Sequence, residues 1–460
     1  MESGPVADTV LAMTATPGEG RRAAIVGSGP AGFYASEFLL RAGLAVDLYE
    51  RLPAPFGLVR YGVAPDHQSI KRVAAAFDRT AKHPKFRFRG NVDVGHKLSV
   101  LQLRRSYDAV VLAYGAAADR KLGVPGDDLL GSHAATAFVA WYNAHPDFVS
   151  QRFDLSNERA VVVGMGNVAL DVARVLIRSP AELAETDIYG PALIALRESR
   201  IREVVLLGRR GAGQAAFDQG ELADIVALDG VSVSVEGDTN FTPREDADHA
   251  TRKNLEYLAT LPRTAAADKR RVRLRFLASP AELVGSAGKV EALRIEENEL
   301  VDAGGSVSAR GTGRFERLDT GLVIRSIGYR GTGMPGVPFD DKRGVIPNQA
   351  GRVLTENGVT DPGLYVTGWI KRGPTGLIGT NKACAKETTD HLLADLAALP
   401  KPAHEISAVD AVLADAKVRV VSYDDWRGLD ATELERGKLA GKLREKLPSV
   451  GQMLALLGAS

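Results

Sequence analysis

Two glycine-rich strings in this chain have the spacing that holds a dinucleotide diphosphate. Gly27-Ser28-Gly29-Pro30-Ala31-Gly32 reads G-x-G-x-x-G, and acidic Glu50 follows 18 residues after Gly32. In such a string the first glycine allows a tight turn and the second lets backbone approach a pyrophosphate. The third lets the helix pack closely on its strand. Free N–H groups and positive potential at the helix start then favour the anion. A carboxylate at Glu50 suits the hydroxyls of an unphosphorylated ribose, as in FAD or NAD. Gly164-Met165-Gly166-Asn167-Val168-Ala169 is the second string, with alanine in third place, and the strand after it ends in Arg209-Arg210 rather than an acid. Two guanidiniums there would grip a 2′-phosphate by charge-assisted contacts, so NADPH is the favoured ligand. Plain strand–turn–helix joints and a solvated basic turn are the alternatives at these positions.

The strings require strands before them and helices behind. Ala23–Val26 is a short apolar run of the buried parallel type, residues 33–41 have helical period closed by Gly43, and Ala45–Tyr49 is the returning strand. Ala160–Val163, a helix to about Arg178, and Glu203–Leu207 repeat the pattern, with 179–200 as a helical excursion that stretches the separation from Gly164 to Arg209 beyond the usual ~20 residues. Further strands are expected at 107–113, 322–329 and 364–369, and helices at 69–82, 382–396 and over much of 405–460. Two dinucleotide sites with opposite ribose preferences imply hydride passing between nucleotides. The first would then hold a flavin, which accepts a pair of electrons and releases them singly.

Several side chains outside the strings could take part. Trp369 follows glycine at a strand end, where an indole could stack over flavin or nicotinamide or simply fill a core. His67 after Pro65-Asp66 reads as a proton relay or as a loop-fixing histidine. Gly376 could bring a backbone N–H near the flavin ring. Arg271, Arg273 and Arg275 alternate with Val272, Leu274 and Phe276, and with Arg252, Lys253, Lys269 and Arg270 they would make either a local basic face or an ordinary solvated strand face.

The length of 460 residues exceeds one core at about 150 residues per domain. With 58 Lys plus Arg against 57 Asp plus Glu, the net charge of +1 argues against nucleic acid as a partner of the whole chain. A single cysteine, Cys384, excludes an intrachain disulfide, a dithiol relay and a thiolate iron–sulfur cluster, and it fits a reducing compartment. No run approaches the ~20 apolar residues of a membrane span. The first 20 residues read as a disordered leader without signal-peptide character, and the expected address is the cytoplasm. No metal site is expected.

Beyond the strings, Phe56-Gly57-Leu58-Val59-Arg60-Tyr61-Gly62-Val63-Ala64-Pro65-Asp66-His67, Gly166–Arg174, Arg209-Arg210-Gly211 and Tyr365–Gly376 resemble the adrenodoxin-reductase-like ferredoxin–NADP reductases, closest in pattern to the actinobacterial type, from about residue 21 onward. The resemblance implies an α/β fold of two Rossmann-like domains, with the NADP domain (117–332) inserted into the FAD domain (21–116 and 333–460). It implies bound FAD, NADPH as donor and an acidic iron–sulfur ferredoxin as acceptor. By matching motif, Ala31, Glu50, Leu58 and Val94 would contact FAD, with Trp369, Gly376, Leu377 and Ile378 at its isoalloxazine end. Arg120, Met165, Gly166, Asn167, Val168, Arg209, Arg210 and Glu221 would hold NADP. Met165 and Asp224 depart from the pattern, which expects a polar residue and a longer Glu; the catalytic set the resemblance implies is His67, Asp224 and Trp369. A flavin-dependent oxidase or monooxygenase would share both nucleotide sites, although the string Phe88-Arg89-Gly90 has Val94 where a monooxygenase motif carries histidine. An NADPH-binding module without catalysis is the non-enzymatic alternative.

Overall fold

The computed structural model describes residues 18–238, 240–303, 306–376 and 378–458. Two compact units emerge. The first comprises the described residues up to Pro55, Ala75–Gly115 and Gly333–Tyr423; the second comprises Phe56–Ala74, Ala116–Thr332 and the described residues from Asp424 onward.

In the first unit, strand Arg22–Val26 lies between Ala45–Tyr49 and Ala109–Leu112, parallel to both. The chain leaves it for a neighbour on one side and later returns on the other. The loop after Val26 therefore opens at a topological switch point, where crevices of open α/β sheets form. Phe86–Arg89 extends one edge, and Thr360–Val366 joins the other beside Ala109–Leu112. The central strands are largely apolar because both sheet faces are covered, with Ile25, Leu48, Val110 and Val366 fully buried. Helix Pro30–Arg41 follows the first strand directly, with proline in its first turn where no N–H is needed.

The second unit repeats the logic. Strand Arg159–Val163 lies between Glu203–Gly208 and Leu322–Arg325, all parallel, in a six-stranded sheet with Ser132–Ala134, Arg270–Phe276 and Val231–Glu236. A separate three-stranded antiparallel sheet is built from Ala278–Ser286, Lys289–Ala303 and Ser306–Asp319. The excursion at 179–200 is helical, as Pro180–Ala184 and Gly190–Arg197.

The structure corrects three expectations. Segments 56–74 and 424–458 pack with the second unit rather than with 21–55 and 333–423. Buried charge pairs hold them there: Arg60 to Glu433 at 2.5 Å and Lys71 to Asp187 at 2.7 Å. The helix expected over 69–82 is two, Gln68–Lys71 and Ala74–Ala81, parted by a turn at Arg72-Val73. Gly18–Gly20, expected within a disordered leader, form a turn in which the Gly18 N–H donates to the carbonyl of Ala42 at 3.0 Å and Glu19 pairs with Lys85. Among the described residues no helix is long and apolar enough to cross a membrane.

Candidate functional site

Each fingerprint forms the cradle its spacing demands. Gly27 has φ +105°, and a Cβ there would lie 2.6 Å from the carbonyl oxygen of Ala113; one on Gly32 would lie 2.0 Å from that of Gly27. These glycines are required by the fold itself. Gly29 differs, because it caps the helix without a side-chain bond and a Cβ there would meet nothing within 4 Å. Open space thus adjoins the unpaired N–H groups of a helix start, which fits the diphosphate of a flavin dinucleotide. Glu50 does more than the sequence suggested. Its Oε2 accepts from the backbone N–H of Ser28 (3.1 Å) and from Ser28 Oγ (2.6 Å), and its Oε1 accepts from Leu52 N–H (3.1 Å). The carboxylate closes the turn and keeps acceptor capacity on Oε1, enough for one ribose hydroxyl more readily than two.

The late motif meets this cradle within the same unit. A Cβ on Gly368 would come 2.6 Å from the Ala31 methyl, and Gly368 adopts φ +74° to begin the short helix Trp369–Arg372. Helix Ile378–Asp395 packs on helix Pro30–Arg41. Trp369 and Ile378 are half-buried, Gly376 is exposed with φ +77°, and Leu377 lies outside the described residues. Val94 is buried in the apolar core of this unit. Leu58 begins a short helix of the second unit and is exposed. Cys384 is buried, its sulfur accepting from the Gly368 N–H at 3.3 Å.

In the second unit, Gly164 has φ +141° and a Cβ there would sit 2.2 Å from the carbonyl oxygen of Ser326, whereas Gly166 at the helix cap again faces open space. Met165 leans over Gly208, where a Cβ would meet its Cγ at 2.7 Å, so the apolar departure serves packing at the strand end. Asn167 Oδ1 accepts from the N–H of Asp218 at 2.8 Å, tying the cradle to helix Gln219–Val226 that carries Glu221 and Asp224. Val168 packs on the core and Ala169 is fully buried. Arg209 is exposed and Arg210 half-buried, and among the described residues neither guanidinium has an acid within salt-bridge distance. Arg120 is exposed.

His67 caps helix Gln68–Lys71 and sits among acids. Its Nδ1 lies 3.5 Å from Asp171, and its Nε2 lies 3.4 Å from Glu221 and 3.6 Å from Asp224. Asp224, with a side chain 62% exposed, is the outer member; Asp171 and Glu221 are the sheltered ones. Arg174, fully buried, binds Asp66 at 2.7 Å, Asp171 at 2.5 Å and Glu221 at 3.4 Å, while Arg178 also holds Asp66. Burial pushes the Asp66 carboxyl up, but the bonds from Arg174 outweigh it and hold the group at about 2. Burial raises Asp171, opposed by Arg174 and His67; burial and the neighbouring Asp171 raise Glu221. His67, Asp171 and Glu221 have the donor set of a metal site, but Arg174 already supplies the cation to the same carboxylates. A pocket of about 300 Å³ opens beside His67, Arg178, Glu182 and Asp224. The arrangement sets an imidazole among three carboxylates at the edge of this pocket. Sequence reasoning gave no role to Asp66, Asp171 or Arg174, although the i, i+3 spacing of Asp171 and Arg174 on one helix was a usable signal.

The arginine-bearing strand is not an open basic face. Arg271 pairs with Glu203 at 3.1 Å, Arg273 with Glu236 at 2.7 Å and Arg275 with Glu316 at 3.6 Å. Arg252 donates to the carbonyls of Ala247 and Glu245. Lys253 and Lys269 are exposed, and Arg270 is half-buried.

Two glycine cradles at switch points define a pyridine-nucleotide oxidoreductase, and comparison with known proteins agrees. Residues 21–226 match the family described as Pyridine nucleotide-disulphide oxidoreductase. The chain is 46% identical over 453 residues to NADPH-ferredoxin reductase FprA of Mycobacterium leprae, covering 94% of this chain and 97% of that one. It is 41% identical to the mitochondrial NADPH:adrenodoxin oxidoreductase of Arabidopsis thaliana, covering 94% of each. Its fold superposes on Mycobacterium tuberculosis FprA in complex with NADPH with a TM-score of 0.90 at 45% identity, over 95% of this chain and 99% of that one. The chain belongs to the adrenodoxin-reductase-like ferredoxin–NADP reductase family.

Proposed function

We propose that this protein is an NADPH-dependent flavoprotein reductase that passes electrons singly to an iron–sulfur ferredoxin. The observation that carries the reading is the pair of cradles with opposite ends: Glu50 beneath the first and Arg209-Arg210 beyond the second. FAD bound in the first unit would supply the step from a hydride pair to single electrons. The chain's own residues do the rest. Gly29 and the start of helix Pro30–Arg41 receive the flavin diphosphate, and Glu50 Oε1 orients a ribose. In the second unit, the segment from Met165 to Val168 receives the NADPH diphosphate, and Arg209 and Arg210 select its 2′-phosphate. Within the second unit, the His67, Asp171 and Glu221 group holds a proton that can move to and from solvent past Asp224. Trp369 and Gly376 bound the flavin ring end of the first unit.

The acceptor reading rests on the family relatives, whose names specify ferredoxin and adrenodoxin, and on the absence of any cysteine besides Cys384 to carry electrons. Docking of an acidic ferredoxin would use Lys253, Lys269 and Arg270, while Arg252 and Arg271 contribute less because they already have internal partners. A cytoplasmic address accords with the single cysteine. The test is NADPH oxidation by holoenzyme with purified iron–sulfur ferredoxin and cytochrome c. Cytochrome reduction that requires ferredoxin supports the reading. Equal NADPH consumption without ferredoxin, with peroxide as product, would instead indicate an oxidase.

A further inference from the structure

The turn that carries the two arginines is held from outside its own strand–helix unit. Strand Glu203–Gly208 ends, and Arg209 and Arg210 follow without acidic partners among the described residues, so their direction depends on their backbone. Both carbonyls are fixed from the small antiparallel sheet and from Leu277, the residue that leads into it. Leu277 N–H donates to the Arg210 carbonyl at 3.1 Å, and Asn298 Nδ2 donates to the Arg209 carbonyl at 2.9 Å. The same amide donates to Ser279 Oγ at 2.6 Å, and the Asn298 backbone N–H donates to the Leu277 carbonyl at 2.8 Å. One residue therefore holds Arg209 directly and Arg210 through Leu277, which itself adopts φ +54° to make the join.

Asn298 stands apart from its neighbours. It is 5% exposed, and it lies where the hairpin register shifts after Glu296. It is also the one neutral residue in the run Glu296-Glu297-Asn298-Glu299. A carboxylate here would have no N–H for the Arg209 carbonyl and would put negative charge under a phosphate site. The amide supplies both donors and no charge. Ordinary hairpin stability requires neither the choice of amide nor its reach to another sheet.

We infer that Asn298 is a positioning residue for cofactor choice, fixing the Arg209-Arg210 turn so that both guanidiniums meet the 2′-phosphate. The inference rests on the reading of those arginines as the 2′-phosphate site. The test uses holoenzyme variants and calorimetric binding of adenosine 2′,5′-bisphosphate against ADP, alongside kcat/KM for NADPH and NADH. Asn298→Leu is expected to weaken the bisphosphate by roughly 5- to 10-fold, the effect of one buried hydrogen bond, while ADP stays within about 2-fold. Ser279→Ala, which spares the Arg209 contact, should leave both near the parent values. Should Asn298→Leu fail to fold, the isosteric Asn298→Asp carries the same expectation with a larger loss. Equal weakening of both nucleotides, or of neither, overturns the inference. Arg209→Ala separates the two failures. If it lowers the bisphosphate preference while Asn298→Leu does not, only the role of Asn298 falls; if it leaves the preference unchanged, the reading of the arginines falls and the inference with it.

Discussion

Asp66 lies next to His67 in sequence, but its work is done through Arg174 and Arg178. Its folded carboxyl is held at about 2, below its ordinary 3.8, so folding favours the ionised form. That contribution is fully present above about pH 4 and is lost as pH falls through about 2; it amounts to roughly 2 kcal/mol. Asp66→Asn should therefore lower the thermal midpoint at about pH 6, and the gap from the parent should close as the scan is repeated at progressively lower pH. A pH-independent gap would mean the carboxylate charge is not what matters. At the 2′-phosphate site, Arg209→Ala with Arg210→Ala should cut NADPH kcat/KM by tens-fold or more, at about 1.5–3 kcal/mol per charged contact, and spare NADH. Steady-state kinetics with both donors decides it, and an unchanged ratio would place the phosphate elsewhere. The arginines were legible because their chemistry follows from position in a strand–turn–helix pattern. Asn298 was not, because its partner carbonyl is 89 residues away and belongs to a backbone group that no side-chain pattern reports.

The least legible element was the C-terminal tail. Its helical character over much of 405–460 could be read from sequence, and the structure forms Ser407–Asp415, Tyr423–Leu439 and Val450–Leu456 there, but what it packs against could not be read. Its buried charges answer that. Glu433 accepts from Arg60, and Lys446 donates to the Arg60 carbonyl and to Asn143 Oδ1 and pairs with Asp187, which also binds Lys71. Charged residues in a helix pattern normally indicate a solvated face, so composition pointed away from this core. Burial, with the cations Lys71 and Arg60 nearby, depresses the Lys446 amine to about 7, against the pull of Asp187. Between about pH 7 and 10.5 the unfolded state holds a proton there that the folded state does not, so this group makes stability rise with pH across that window. Lys446→Met should flatten the rise in thermal midpoint between about pH 7 and 9. An unaltered slope would show that Lys446 stays protonated in the fold. By contrast, the strands Arg22–Val26, Ala45–Tyr49, Arg159–Val163 and Glu203–Gly208 were read to within a residue at each end, since continuous apolar runs halted by glycine have few other meanings in a chain of this composition. The readings 322–329 and 364–369 run past the strands that form, Leu322–Arg325 and Thr360–Val366.

For the molecule as a whole, a net charge of +1 leaves partner attraction to local patches, and the structure trims the basic candidates to a few exposed cations. Ferredoxin-dependent cytochrome c reduction should slow as added salt shortens the screening length below about 8 Å, while reduction of ferricyanide, which needs no docking surface, should hold its rate better. Rates that respond identically to salt would remove the electrostatic part of docking. Cys384→Ser should leave both activities intact, because the thiol is buried and accepts a bond from Gly368; a selective loss of ferredoxin reduction would reveal a thiol in the electron path.

If one cradle holds a flavin and the other NADPH, the visible spectrum under anaerobic titration reports both together. Purified protein should be yellow, and near-stoichiometric NADPH should bleach the flavin absorbance, with NADH needing far higher concentrations for the same loss. Colourless protein that binds stoichiometric FAD neither as purified nor on addition, or flavin absorbance that NADPH leaves untouched, would contradict the account.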